Sequence, residues 1–96
     1  MGQYWFTFHD GNGEIVLRSG HYDGWAKAMI GIAHMKVKVH DNERYERKKD
    51  SDGRFYFNFR TEGNEVNCTS QTYDDSPGRE ALICIIKLQG LQGIVR

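Results

Sequence analysis

Apolar and polar positions alternate along two stretches of this chain with the period of a half-buried strand. Tyr4, Phe6 and Phe8 alternate with Trp5 and Thr7, and Phe55, Phe57 and Phe59 alternate with Tyr56 and Asn58. Each stretch runs into a turn, Asp10-Gly11-Asn12-Gly13 in the first case and Glu62-Gly63-Asn64 in the second. A further strand follows each turn. In the first, Ile15 and Leu17 are expected to face the core while Glu14, Val16 and Arg18 face outward. In the second, Val66 and Cys68 continue the buried face. Asp23-Gly24 then opens a helix reaching about Lys38, with Ala26, Ile30, Ala33 and Val37 at near-helical spacing. Asp75-Ser76-Pro77 opens another, with proline in the first turn, where a missing N–H costs nothing.

The two halves also match residue by residue. A shift of 51 positions places Gly2 to Phe8 on Gly53 to Phe59 without a gap. The same shift sets Glu14 on Glu65, Ile15 on Val66, Ser19 on Ser70, Tyr22 on Tyr73, Asp23 on Asp74, Ile32 on Ile83 and Lys36 on Lys87. The match assigns residues 81–88, whose β-branched content would also suit a strand, to a helix. That helix is apolar nearly all round, so it is enclosed or faces a partner. Between the halves, Glu43 to Lys49 reads as a strand joined through Asp50-Ser51-Asp52-Gly53 to the aromatic strand 55–59. The expected fold is α+β: two strand-strand-strand-helix (βββα) repeats forming a single antiparallel sheet with two helices packed on one face. The first repeat lacks its leading strand, and the tail at 91–96 is expected to supply it. Residues 1–96 are read as one domain, with repeats at 2–38 and 44–88 and a tail at 89–96.

Composition narrows the function classes. Ninety-six residues make one modest core. Thirteen basic and thirteen acidic side chains give zero formal net charge, so no bulk field draws the chain to nucleic acid or an anionic membrane. Aromatics at 12% and a single proline mark an ordered globular chain. No basic segment leads an apolar stretch at the start, and Phe6 stands where a myristoylation motif needs Ser or Thr. Cys68 and Cys84 are read as free thiols of a reducing compartment, which sets the expected location in the cytoplasm. The glycosylation triplet Asn67-Cys68-Thr69 carries no weight in that setting.

Asp52-Gly53-Arg54-Phe55-Tyr56-Phe57-Asn58-Phe59, Gly63-Asn64-Glu65-Val66, Thr69-Ser70 and Tyr73 resemble the YegP-like family of small bacterial proteins. So do Asn12-Gly13-Glu14-Ile15-Val16-Leu17, Ser19, Tyr22, Gly31-Ile32-Ala33 and Lys36, and the resemblance spans roughly residues 2–88. It implies one antiparallel sheet bearing two helices, and it implies no activity. The chain departs from the family's pattern in both repeats. Gly20 and Gln71 stand where a Glu usually follows the Ser. Gly24-Trp25 and Asp75-Ser76 replace Ser-Lys at the helix start, and Ile30 and Ala81-Leu82 stand at the Asn before Gly-Ile.

Candidate chemistry is sparse. The repeat partners of Cys68 and Cys84 are Leu17 and Ala33, so both thiols are expected to be small buried core residues. His9, His21, His34 and His40 have no His counterpart in the second half and no metal-ligand spacing, so no metal or cofactor is expected. Asp10 to Glu14 opens like a calcium loop, but Ile15 and His21 stand where that loop needs Gly and Glu. The aromatic strand 53–59 is like the base-stacking strand of RNA-recognition modules, but the element order differs. Alternation turns Trp5, Tyr56, Arg18 and Asn58 toward the uncovered sheet face, and Arg44, Arg47, Lys48 and Lys49 form the one basic cluster, offset by Glu43, Glu46 and Asp50. No nucleophile–base order, phosphate loop or dinucleotide fingerprint occurs, so no enzyme is expected.

These features together read as a non-catalytic binding module of bacterial or phage origin. It would act by protein–protein contact, as an inhibitor or accessory protein, through the eight residues just named on the sheet face and basic strand. The alternative is nucleic-acid binding through the aromatic face and strand 44–49. A homodimer would fit the apolar second helix and the exposed sheet edges.

Overall fold

The computed structural model describes residues 3–89 and 92–95; Gly2 of the expected first repeat, and Leu91 and Arg96 of the expected tail strand, lie outside them. The elements are β1 (Phe6–His9), β2 (Ile15–Ser19), α1 (Trp25–Lys38), β3 (Tyr45–Lys49), β4 (Phe55–Arg60), β5 (Val66–Ser70), α2 (Ser76–Gln89) and β6 (Gln92–Val95). The strands form one six-stranded sheet in the order β3-β4-β5-β2-β1-β6, antiparallel at every pairing. β6 pairs along the whole of β1, from Phe6 opposite Val95 to His9 opposite Gln92, and so holds against β1 the place that β3 holds against β4.

Local chemistry recurs at the 51-residue spacing. The Ser19 hydroxyl accepts from the Phe6 N–H at 2.8 Å and donates to the Gly20 carbonyl at 2.7 Å. Ser70 accepts from Phe57 N–H at 3.0 Å and donates to Gln71 at 2.8 Å. Each serine satisfies a buried backbone donor where its strand leaves the ladder. Just beyond, Tyr4 bridges Tyr22 and Phe55 bridges Tyr73. The two hairpin turns reach positive φ at matched positions, Gly13 at 82° and Asn64 at 66°, the residue types that tolerate the left-handed region.

Both helices lie on one face. Phe6, Phe8, Leu17, Phe57, Phe59, Cys68 and Tyr45 line the sheet side of the core; Ile32, Met35, Leu82, Ile83 and Ile86 close it from the helices. The Tyr45 hydroxyl donates to the Val39 carbonyl at 2.7 Å, so this buried phenol is satisfied.

Two expectations about burial are corrected. A bulge interrupts the β1–β2 and β4–β5 hairpins: Phe8 faces Leu17 and His9 faces Ile15, and likewise Phe59 faces Cys68 and Arg60 faces Val66. The skipped residues, Val16 and Asn67, turn toward the helices and are 2% and 3% exposed, whereas Val66 is 45% exposed. An extra residue breaks the period-2 alternation, so Val16 is core and Val66 is not. The second correction concerns α1. Its buried residues are Ala28, Gly31, Ile32 and Met35, while Ala26, Ile30, Ala33 and Val37 face solvent. Both sides of this helix are apolar, and periodicity alone does not say which one meets the sheet.

Candidate functional site

The open sheet face is less available than alternation implies. Trp5 and Tyr56 are half-buried and Arg18 is exposed, but Asn58 is only 9% exposed. One row of cross-strand neighbours runs Glu46, Asn58, Thr69, Arg18, Thr7. Within it Asn58 donates to Glu46 Oε1 at 3.1 Å and accepts from Thr69 Oγ1 at 2.7 Å, while Arg60 pairs with Glu46 at 2.9 Å. The Arg60 hydrogen bond, with help from Asn58, holds the Glu46 carboxyl below its usual range. Asn58 spends its amide on its neighbours, so it is a structural member of this face. Trp5 is occupied by the His21 ring, 5.1 Å away centroid to centroid.

The basic cluster is not one patch. Arg44 lies outside the strand, in a 3-10 turn over Asn42–Arg44, and donates to the Thr61 carbonyl at 2.7 Å. Arg47 points to the helix side, where its Nε lies 2.9 Å from both carboxylate oxygens of Glu80 on α2. Lys49 sits 4.8 Å over the Phe55 ring. Lys48 stands opposite Tyr56 in the ladder, one position away from both in the alternation. The pleat therefore divides these cations between two faces, and internal carboxylates and carbonyls engage two of the three arginine and lysine groups on the helix side and at the turn.

The cysteines separate as well. Cys68 is fully buried, with Sγ 3.3 Å from Met35 Sδ, and burial pushes its thiol far above the ordinary range. Cys84 is exposed, against the expectation of a buried core residue, because it lies on the outer side of α2. A thiol-reactive disulfide reagent is expected to titrate one cysteine in the native chain and two in denaturant; two fast thiols in the native chain would contradict the burial of Cys68. Asp10 Oδ1 accepts from the N–H groups of Asn12 and Glu14 at 2.8 and 3.0 Å, the pattern of a hairpin turn. Among the described residues no three His, Cys, Asp or Glu side chains gather as a metal site would require, and no described helix is long and apolar enough to cross a membrane.

Two surface features follow from how the elements pack. The first is the outer side of α1, where Ala26, Ile30, Ala33 and Val37 form an apolar stripe with Met29 beside it. Ile30 is 68% and Val37 75% exposed. α2 carries a matching stripe of Ala81, Cys84, Ile85 and Leu88. Exposed apolar side chains scattered singly are ordinary, but a row at helical spacing is not. α1 also contains Lys27, Lys36 and Lys38 and no acidic residue.

The second feature is a pair of grooves, each formed where the helix of one half meets the hairpin turn of the other. The larger, about 440 Å³, lies between α1 and the β4–β5 turn and is lined by Tyr22, Ile30, Gly31, His34, Glu65 and Asn67 among others. The smaller, about 290 Å³, is lined at the matched positions by Tyr73, Ala81, Leu82, Ile85 and Val16. Gly20 and Ile30 in the first groove, and Gln71, Ala81 and Leu82 in the second, are positions at which this chain departs from the family pattern. Apolar residues close one groove and polar ones floor the other. Asn67 Nδ2 donates to the Gly31 carbonyl at 3.2 Å, while Asn67 Oδ1 and His34 Nδ1 are buried without a hydrogen-bond partner among the described residues. Gly31 leaves room for the Tyr22 hydroxyl, which would lie 2.6 Å from a Cβ at this position. Burial is the main cause that raises the Tyr22 phenol above its ordinary range, and the Glu65 charge adds to it.

With the geometry in place, the similar proteins can be set beside it. A family model described as a domain of unknown function (DUF1508) matches residues 1–46. The UPF0339 protein YegP of Escherichia coli O6:H1 is 36% identical over 94 residues, covering 98% of this chain and 86% of that protein. A UPF0339 protein of Acinetobacter baylyi is 37% identical over 95 residues, covering 99% of this chain and 86% of its own length. The solution NMR structure of yegP from E. coli, a protein of unknown function, superposes with a TM-score of 0.79 at 31% identity, covering 94% of this chain and 88% of that one. A UPF0339 protein from Shewanella oneidensis superposes with a TM-score of 0.77 at 25% identity, covering 91% and 84%.

Proposed function

This chain belongs to the UPF0339 (YegP) family, and from that premise we propose that it is a non-catalytic module that docks on another protein through the outer side of α1. The observation that carries this reading is the exposed stripe of Ala26, Ile30, Ala33 and Val37 on a helix whose opposite side already fills the core. A soluble helix gains nothing from a second apolar side unless something covers it. The flanking charges choose the occupant. Lys27 is paired with Asp23 at 2.9 Å and Lys38 with Glu62, while Lys36 has no ion-pair partner among the described residues. With no acid on the helix, the complementary partner is an acidic amphipathic protein segment.

The proposal moves the working surface away from Trp5, Tyr56, Arg18 and Asn58, and away from the strand at 44–49. It treats residues 1–96 as one domain descended from two copies of one unit, acting as an accessory or inhibitory protein in the cytoplasm. The free thiols suit that compartment. The grooves are open to solvent, which suits a binding role better than catalysis.

An acidic amphipathic helical peptide of Leu and Glu is expected to shift the amide resonances of residues 26–37, and a Leu/Lys peptide of the same pattern is not. Ile30→Glu and Val37→Glu are each expected to abolish the shifts while changing stability by no more than about 0.5 kcal/mol, the usual range for surface substitutions. Equal binding of both peptides, or shifts confined to the sheet face, would refute the proposal. Sedimentation showing a dimer that Ile30→Glu dissolves would make a second copy the occupant in place of an acidic partner. Salt-sensitive binding of oligonucleotides would restore the nucleic-acid reading.

A further inference from the structure

We infer that the groove between α1 and the β4–β5 turn binds a small aliphatic cation, an ammonium or guanidinium group carried on a short hydrocarbon body. The inference does not rest on the partner-contact reading above, although Ile30 borders both surfaces. It starts from the contrast between the two grooves. At matched positions Val16, Leu82 and Ile85 close the smaller groove, and Asn67, Gly31 and His34 floor the larger. The fold itself therefore does not require polar side chains at these positions.

Asn67 is 3% exposed, and its Oδ1 is buried with no hydrogen-bond partner among the described residues. The amide orientation follows from the bond that Nδ2 donates to the Gly31 carbonyl, which leaves Oδ1 as the free acceptor. His34 Nδ1 is in the same condition, and with the ring proton on Nε2 it is a second acceptor. A buried acceptor without a donor is a standing loss of stability, and such atoms in native proteins call for a specific explanation. A ligand bearing several N–H groups supplies the missing donors.

Charge selects a cation. Of the ionised groups lining the groove, Lys27 is held by Asp23 and Glu62 by Lys38, while Glu65 has no ion-pair partner among the described residues. One negative charge is left over. Ile30 and Val66 offer apolar walls to a hydrocarbon body. A volume of about 440 Å³ lies within the range of small-ligand sites. The tip of Tyr22, which occupies the space beside Gly31 and has no hydrogen-bond partner among the described residues, would have to turn aside to admit the donor to the floor.

Amide and imidazole resonances should be followed while the full chain is titrated with agmatine, n-butylammonium and butyrate. Saturable shifts centred on Gly31, His34 and Asn67 are expected with the two cations, with a Kd of about 1 mM, as for a small fragment. Butyrate is expected to give none. Asn67→Val, which installs the side chain found at the matched position, is expected to weaken agmatine at least about tenfold while the melting temperature is held or raised. Glu65→Gln, at an exposed site that does not threaten folding, is expected to weaken it about threefold and to flatten its salt dependence. The inference fails if neither cation saturates, if butyrate acts equally, if the shifts centre elsewhere, or if Glu65→Gln and a folded Asn67→Val bind agmatine like the parent.

Discussion

Removing residues 91–96 is expected to lower the unfolding free energy by about 3–5 kcal/mol, a large share of the roughly 5–15 kcal/mol that holds a small domain together. β6 pairs with every residue of β1. Without it, β1 becomes an edge strand although Phe6 and Phe8 are core residues and Thr7 is fully buried. About four ladder hydrogen bonds at roughly 1 kcal/mol each are lost, along with the cover on one side of β1. The new edge also invites pairing with other chains. Urea denaturation measures the loss through the midpoint, and light scattering reports the aggregation. A change below about 1 kcal/mol would mean that β6 adds little to the sheet. A permuted chain that joins residue 96 to residue 3 and opens between α1 and β3 is expected to fold, because each half then contains its own three strands and helix in sequence.

Phe6→Ala and Phe57→Ala are each expected to cost about 3–5 kcal/mol, the range for deleting a buried aromatic ring. Both side chains are 0% exposed, and both backbone N–H groups are held by a serine hydroxyl. Their neighbours are related but not identical. Phe6 meets Phe8 at 5.3 Å and stacks on Tyr22 at 6.1 Å, whereas Phe57 meets Tyr45 at 5.4 Å. Paired denaturation curves are expected to agree within about 1 kcal/mol. A difference beyond about 2 kcal/mol would show that the two positions occupy unlike environments and would break the equivalence of the halves.

The readable parts of this sequence were those with local causes. Alternating aromatics mark β1 and β4, glycine and asparagine mark the turns that need positive φ, and Ser19 and Ser70 match because each satisfies the backbone of a phenylalanine thirteen residues earlier. The candidate site was less legible. Arg47 and Lys48 are adjacent in sequence, and only the pleat and the position of Glu80 separate them into a helix-side ion pair and an outward lysine. Cys84 looked like core because its matched residue, Ala33, is apolar; both are exposed.

The sequence by itself determined the α+β class, the order of strands and helices and the 51-residue correspondence, because turn chemistry and short-range periodicity act within a few residues. Tertiary structure decided which apolar side of α1 is buried, since two such sides compete and only contact with the sheet selects between them. It also decided the bulges at Val16 and Asn67, which bury both skipped residues and leave Val66 exposed while Leu17 and Cys68 stay in the core. The groove floored by Asn67 and His34 belongs to the same class: its walls come from α1 and from a turn about thirty residues later, and no local pattern records a meeting that only the completed sheet brings about.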